Sequence, residues 1–146
     1  MTRKNRGGFT LVEVMITVSI MAIMASVLTF STDFTKQTAK REAQRLFVFL
    51  YRSMNKADSR RINFTFIASP AHVLLNWGNG KYEKLIASKG CAYSNNFPGG
   101  ECTYNARNKR YNTGGTITVQ DSEGQKYYVV LAGITEGRIR LSETRP

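Results

Sequence analysis

The stretch RKNRGGFTLVEVMITVSIMAIMASVLTF, residues 3–30, decides how the rest of the chain is interpreted. Its apolar part runs from Phe9 to Phe30 and contains Glu13 as its only charged residue. A helix rises about 1.5 Å per residue, so this part is roughly 30 Å long, which is the thickness of a bilayer core. An ordinary secretory signal has a shorter apolar core, followed by small residues at a cleavage site. The length therefore favours a membrane-spanning helix over residues 9–30.

Three basic residues, Arg3, Lys4 and Arg6, lie just before the apolar stretch. Under the positive-inside rule they keep this end in the cytoplasm and send the C-terminal part across the membrane. A carboxylate within an apolar span costs about 2.5 to 3.5 kcal/mol on insertion scales. We therefore expect Glu13 to lie near the membrane interface or to meet a positively charged partner.

The motif GGFTLVE at residues 7–13 resembles the prepilin cleavage and methylation motif of type IV pilins and type II secretion pseudopilins. The resemblance implies that a prepilin peptidase cleaves between Gly8 and Phe9 and that Phe9 is then N-methylated. It also implies that Glu13 pairs with the N-terminal amine of a neighbouring subunit during assembly, which would supply the positively charged partner. Many major pilins have a helix-kinking proline at the position of Phe30, and this chain has none. The alternative interpretation is a generic signal-anchor helix, in which the Glu13 carboxylate has no specific role.

The helical pattern continues beyond the apolar stretch, because neither proline nor glycine occurs from Phe9 to Ser69. Between residues 31 and 61, apolar residues recur every three or four positions, while lysines and arginines mostly occupy other faces. The apolar positions are Ala39, Ala43, Leu46, Phe47, Leu50, Met54 and Ala57. This stripe predicts an amphipathic helix that packs on a sheet of the same domain.

After residue 61 the sequence changes to the alternation that is typical of strands, with turns at Ser69-Pro70, Gly78-Asn79-Gly80 and 121–124. Strands are predicted at 62–67, 71–77, 81–87, 116–120, 126–132 and 138–141. The predicted fold class is α+β, with a long N-terminal helix packed on antiparallel β-sheets. The predicted divisions are a leader at 1–8, a transmembrane or filament-core helix at 9–30, the amphipathic helix at 31–61 and an extracytoplasmic β domain at 62–146.

Residues Ser88 to Gly115 have the composition of one long loop, which is unusual inside a compact domain unless the loop is functional or stapled. Cys91 and Cys102 lie within it. If the domain is exported to an oxidising compartment, a disulfide between them would staple the loop and contribute about 2 to 4 kcal/mol. Neither cysteine lies in a CxxC pair or near His72, so a zinc site lacks ligands.

The chain has 146 residues and a formal net charge of +11, from 21 Lys and Arg against 10 Asp and Glu. This length accommodates one domain but not comfortably two, and the charge favours neutral or anionic partners. No nucleophile elbow, phosphate-binding loop or HExxH motif is present, and His72 is the only histidine. The sequence therefore predicts a protein with no enzymatic activity and no cofactor.

A second resemblance lies at the end of the chain. Gly137-Arg138-Ile139-Arg140 is similar to the Gly-Arg-x-Arg closing strand of the GspH/FimT class of minor pilins and pseudopilins. That class also has a long N-terminal helix followed by two antiparallel β groups. Some FimT-like members bind DNA through this region during natural transformation. The resemblance therefore implies Arg138 and Arg140 as DNA contacts.

Further basic residues extend the candidate DNA surface: Arg107, Lys109, Arg110 and Arg145. Tyr104 and Tyr111 lie close to the basic loop in sequence and are candidates for stacking on bases. The alternative is that Arg138 and Arg140 occupy the solvent-facing side of an alternating strand and bind nothing.

The predicted function is that of a minor pilin or pseudopilin subunit of a type II secretion or type IV pilus system. Its partners would be other subunits, the prepilin peptidase, the inner-membrane assembly platform and the lipid bilayer that holds it before assembly. It would cross the inner membrane once, with a periplasmic C-terminal domain, and would enter the filament after assembly. The alternative function is that of a DNA-binding minor pilin in natural transformation, with double-stranded DNA as its partner.

Overall fold

The computed structural model of the chain describes residues 10–35, 38–133 and 137–145, without the side chains of residues 27–35. These residues form helices α1 (Leu11–Thr35) and α2 (Thr38–Arg60), followed by strands. The strands are β1 (Phe64–Ser69), β2 (His72–Trp77), β3 (Tyr82–Ile86), β4 (Cys91–Asn95), β5 (Glu101–Asn105), β6 (Arg110–Tyr111), β7 (Gly115–Asp121), β8 (Lys126–Ala132) and β9 (Arg138–Ser142). The predicted α+β class is confirmed.

The chain divides into two compact units, Met1–Thr35 and Lys36–Pro146. The first unit contains α1, and the second contains α2 and all the described strands. The sequence predicts one helix that runs through both halves. Residues 36–37, where α1 and α2 would join, lie outside the described residues, so this continuity stays a prediction.

The strands form two antiparallel sheets. The first sheet has the order β3-β2-β1-β5-β6, and the second sheet has the order β4-β7-β8-β9. The turn at Gly78-Asn79-Gly80 joins β2 to β3, and Gly80 has a φ of 78°, a conformation that glycine adopts without strain. The predicted meander of β1, β2 and β3 and the predicted run of β7, β8 and β9 are both confirmed.

Helix α2 closes the core that the two sheets share. Five residues of its predicted stripe are fully buried, and Phe47 and Met54 are partly buried. The buried five are Ala39, Ala43, Leu46, Leu50 and Ala57. Four of them, all except Ala39, join one apolar cluster with residues of the first sheet, such as Phe66 and Leu75, and of the second sheet, such as Ile117 and Val129. Burying each large side chain of this kind stabilises the fold by about 1.5 to 3 kcal/mol.

The predicted loop from Ser88 to Gly115 is wrong, because this segment contains β4, β5 and β6. Its strands are short and rich in asparagine, yet their buried residues alternate, as Tyr93, Cys102 and Tyr104 show. The strand β4 belongs to the second sheet, whereas β5 and β6 belong to the first. The segment therefore crosses between the sheets and connects them.

Cys91 and Cys102 are both free thiols in the structure, and the disulfide expected in an oxidising compartment stays a prediction. Cys91 begins β4 opposite Asp121 in the second sheet, whereas Cys102 lies opposite Phe66 in the first sheet. Cys102 is buried, and its Sγ donates to the Thr113 carbonyl at 3.6 Å. Burial raises the pKa of Cys102 to about 12, so this thiol stays protonated and unreactive at neutral pH.

The second sheet has an inner face toward the core and an outer face away from it. Along β7, Ile117 and Val119 are buried in the core, so the residues between them point outward. We call the outward set on β4, β7, β8 and β9 the outer face: Ala92, Ser94, Thr116, Thr118, Gln120, Lys126, Tyr128, Val130, Ala132, Arg138, Arg140 and Ser142. None of these residues carries a carboxylate.

Candidate functional site

Helix α1 begins with a reciprocal set of hydrogen bonds between Thr10 and Glu13. The Thr10 N–H and hydroxyl donate to Glu13 Oε2 at 2.8 and 3.1 Å, and the Glu13 N–H donates to Thr10 Oγ1 at 3.3 Å. This is a capping box, which satisfies N–H groups that the first turn of a helix leaves unpaired. The negative charge also lies at the positive end of the helix dipole. Glu13 therefore has hydrogen-bond partners within its own chain.

Among the described side chains of α1, large apolar residues lie on every face of the helix. Large apolar side chains from Leu11 to Met24 are 48 to 78% exposed. The hydroxyls of Thr17, Ser19 and Ser26 donate to carbonyls three or four residues earlier, at 2.8 to 2.9 Å, so they need no water. A helix with this surface needs apolar surroundings or neighbouring helices to cover it.

Within the described residues, no helix reaches both the length and the hydropathy of a membrane span. The predicted processing residues, Gly8 and Phe9, lie outside the described residues. The predicted cleavage and methylation therefore stay predictions as far as the structure is concerned.

A second carboxylate, that of Glu42 on α2, is buried in the globular unit at 2% exposure. The Ser88 hydroxyl donates to Glu42 Oε2 at 2.5 Å, and the Ser88 N–H donates to Oε1 at 3.3 Å. The Tyr93 hydroxyl also donates to Oε1. Arg45 Nη1 lies 3.4 Å from both carboxylate oxygens and donates to the Ile86 carbonyl at 3.1 Å. This network joins α2 to the end of the first sheet and to β4 of the second.

The network keeps Glu42 in its charged form. Burial alone would raise the pKa of Glu42, but the hydrogen bonds from Ser88 and Tyr93 and the charge of Arg45 outweigh it and lower the pKa below 4.5. Burial and the bond to Glu42 raise the pKa of Tyr93 well above its usual range, so Tyr93 remains a donor. Sequence reasoning missed Glu42, although a carboxylate between Ala39 and Ala43 on the apolar stripe was a visible signal.

The structure brings the basic strand β9 close to the basic turn between β5 and β6. Arg138 and Arg140 are exposed on one side of β9, while Ile139 packs against the core. Gly137, just before β9, has a φ of 56°, and a Cβ added there would lie 2.1 Å from the Lys109 carbonyl oxygen. The backbone before β9 therefore touches the turn between β5 and β6. The exposed basic residues in and after that turn are Arg107, Lys109 and Arg110.

The other candidate DNA residues have different places. Tyr104 and Tyr111 are only 1 and 2% exposed, with ring centroids 5.1 Å apart, so the prediction that they stack on bases is wrong. The Tyr104 hydroxyl donates to Asp58 Oδ1 on α2 at 2.9 Å, which is a structural role. Arg145 lines a cleft with Lys126 on the outer face.

The structure offers no metal site among residues 10–35, 38–133 and 137–145, where no three His, Cys, Asp or Glu side chains are grouped to hold an ion. His72 is partly buried at the start of β2, opposite Ser69 and Ile86.

Comparison with known protein families gives a match to a motif at the N-terminal end of the chain. Residues 3–29 match the prokaryotic N-terminal methylation motif. No curated protein and no solved structure matches the chain. The motif supports a type IV pilin-like or pseudopilin-like protein that is a substrate of prepilin peptidase and assembles with other pilins. Proteins with this motif are typically structural and not enzymatic.

Proposed function

We propose that this chain is a minor pilin or pseudopilin of a type IV pilus or type II secretion system, of the GspH/FimT class. It is made as a single-pass inner-membrane protein with a periplasmic domain, and it is cleaved between Gly8 and Phe9. The observation that carries this proposal is the capped helix α1, whose apolar stretch up to residue 30 has a single carboxylate, Glu13, in the first turn. Such a helix is compatible with lipid and with a bundle of similar helices, which are its surroundings before and after filament assembly.

Glu13 has a different partner in each of these two states. In the membrane, Thr10 holds the carboxylate within its own chain, which reduces the cost of an unpaired charge. In the filament, the N-terminal amine of a neighbouring subunit's Phe9 replaces Thr10 as the partner. An ion pair in apolar surroundings is sensitive to geometry, so it fixes the axial register of neighbouring subunits.

The test separates processing from assembly. We expect the full chain, expressed with a prepilin peptidase and an assembly platform, to lose residues 1–8 and to gain one methyl group. We expect Gly8→Leu to remain uncleaved, and Glu13→Ala to be cleaved but incorporated into filaments at least about tenfold less well, since it lacks the register contact. Mass spectrometry measures cleavage, and the sheared filament fraction measures incorporation.

The matched control is Glu123→Ala, which removes an exposed carboxylate from the turn between β7 and β8. It should be cleaved and assembled like the parent chain. If Glu13→Ala also assembles like the parent chain, the proposed role of Glu13 is wrong. If the parent chain is not cleaved by any prepilin peptidase that cleaves a known pilin, the proposed function is wrong.

A second function, capture of double-stranded DNA for uptake, is favoured by the contact between Gly137 and the Lys109 carbonyl. This contact places the turn between β5 and β6 beside the strand that carries Arg138 and Arg140. Clustered cations of this kind bind phosphates and release counterions.

We expect DNA binding by the full chain to weaken by orders of magnitude between about 50 and 200 mM salt, because several phosphates are contacted. Arg138→Gln/Arg140→Gln should reduce both the affinity and its salt dependence, as measured by fluorescence anisotropy. The control Lys84→Gln/Lys89→Gln removes the same charge from exposed positions in and after β3. If the two double variants lose the same DNA affinity, binding depends only on net charge, and the proposed role of Arg138 and Arg140 is wrong.

A further inference from the structure

The outer face of the second sheet contains a polar cleft of about 330 Å³. Its walls are hydroxyl and amide side chains, from Ser94, Asn96, Thr116, Thr118, Gln120 and Tyr128. Ligand sites commonly have volumes of about 300 to 1,000 Å³, but most are lined by apolar groups. A cleft of this size with a mainly polar lining points to a small, highly hydroxylated ligand.

The strand register arranges these side chains as a regular array. Ser94 pairs with Thr118, and Thr118 pairs with Tyr128, so these three form one row across β4, β7 and β8. Gln120 and Lys126 form the next row. Neighbouring strands lie about 4.8 Å apart, and residues on one face of a strand lie about 7 Å apart. These spacings are close to the dimensions of a single sugar ring.

The array has hydrogen-bonding capacity that the fold does not use. In the described part of the chain, the hydroxyls of Ser94, Thr118 and Tyr128 take part in no hydrogen bond. The side-chain oxygen of Asn96, Oδ1, accepts the Thr116 N–H at 2.7 Å. The side-chain nitrogen of Asn96 therefore remains as a donor for a ligand. Hydroxyl groups donate and accept, and amide groups add donors, which together match the hydroxyls of a sugar.

The charge at the cleft is positive. Lys126 and Arg145 line it, and none of its lining residues has a carboxylate. The nearest acidic residue in sequence, Asp121 at the end of β7, is buried at 7% exposure and accepts the N–H groups of Glu123 and Gln125. Arginine recognises carboxylates with paired hydrogen bonds, and lysine binds them as a point charge.

We propose that this cleft binds a short stretch of an acidic polysaccharide of the uronic acid type. Lys126 and Arg145 bind the carboxylates, the row of Ser94, Thr118 and Tyr128 hydrogen-bonds to the ring hydroxyls, and the Tyr128 ring packs on the apolar side of a sugar. A nucleic acid strand fits less well, because it requires more cations along its backbone and a more aromatic lining for its bases. This site goes beyond the proposed function, and neither Glu13 nor Arg138 is among the residues that line it.

The test uses the full chain in a neutral polyoxyethylene detergent, because sugar-based detergents would compete for the site. The probe is a trigalacturonate, and its methyl ester is the matched neutral ligand. Calorimetry should show binding at one site, and esterification should weaken that binding at least about tenfold, because it removes the charge-assisted contacts to Lys126 and Arg145. Lys126→Gln/Arg145→Gln should lose a similar factor, and Thr118→Val should lose less.

The control Lys84→Gln/Lys89→Gln has the same net charge as the cleft variant and should bind like the parent chain. The inference is wrong if the parent does not bind, if the ester binds equally well, or if the control weakens binding as much as the cleft variant does. It is also wrong if single-stranded DNA of the same charge displaces the sugar at lower concentration. Cleavage of the cleft variant by prepilin peptidase, measured in parallel, separates failure of this inference from failure of the proposed function.

Discussion

Replacing Glu42 with alanine is expected to lower the free energy of unfolding of the globular unit by about 3 kcal/mol, one of the larger effects of a single substitution in this chain. The substitution leaves the buried Tyr93 hydroxyl, the partly buried Ser88 hydroxyl and the exposed Arg45 guanidinium without their shared acceptor. Each buried group that loses its partner costs about 1 to 3 kcal/mol. Chemical denaturation of residues 36–146, which contain the whole buried core, measures the loss.

The control is Glu83→Ala, which removes the partner of Lys56 in a half-exposed ion pair. That loss should be no more than about 1 kcal/mol, because solvent screens exposed pairs. If the two variants lose the same stability, Glu42 is not the centre of the network.

The effect of Glu42 depends on pH in a defined direction. Its pKa is lower in the folded chain than the usual 4.5, so its stabilisation is fully present above pH 4.5 and is lost as the pH falls through the folded value. The parent and Glu42→Gln should therefore differ most near neutral pH and converge in acid. A difference that stays constant into acid would contradict a charged Glu42.

The second large effect is expected at Gly137, where alanine should lower the free energy of unfolding by about 2 to 5 kcal/mol. A residue with a side chain at a positive φ costs about 1 to 2 kcal/mol, and overpacking costs about 1 to 3 kcal/mol more. The added Cβ would overlap the Lys109 carbonyl oxygen, so β9 and the turn between β5 and β6 must separate. Denaturation of the same fragment measures the cost.

Gly124→Ala is the matched control, because Gly124 has a φ of 82° and nothing within 4 Å of the added Cβ. It reports the backbone strain alone, so the difference between the variants is the cost of the lost contact. Equal costs would show that Gly137 is required for its conformation and not for its approach to Lys109.

The parts of the fold that the sequence predicts are those encoded by neighbouring residues. The stripe through Leu46 and Leu50 has the helical period, and Gly78-Asn79-Gly80 marks a turn between two alternating runs. The association of strands into sheets depends on distant residues, so the division of β4 and β5 between two sheets was not predictable. For this reason Cys91 and Cys102, only eleven positions apart, occupy different sheets.

The candidate sites show the same limit. The motif at residues 7–13 and the apolar stretch around it are local, so Glu13 was identified from neighbouring residues alone. The partners of Glu42 are 46 and 51 residues away, so only the structure reveals why a carboxylate is buried there. Tyr104 and Tyr111 lie beside basic residues in sequence, but their rings fill the core, because β5 and β6 direct alternate side chains inward.

Helix α2 is attached to both sheets at several points along its length, and this has a mechanical consequence. Near its beginning, Glu42 binds Tyr93 of β4, and Lys40 pairs with Glu143 after β9 at 3.2 Å. Near its end, Asp58 accepts a hydrogen bond from Tyr104 of β5. A tensile force along α2 would therefore load both sheets at once. In a filament under tension, the globular unit would yield only after several of these attachments had failed together.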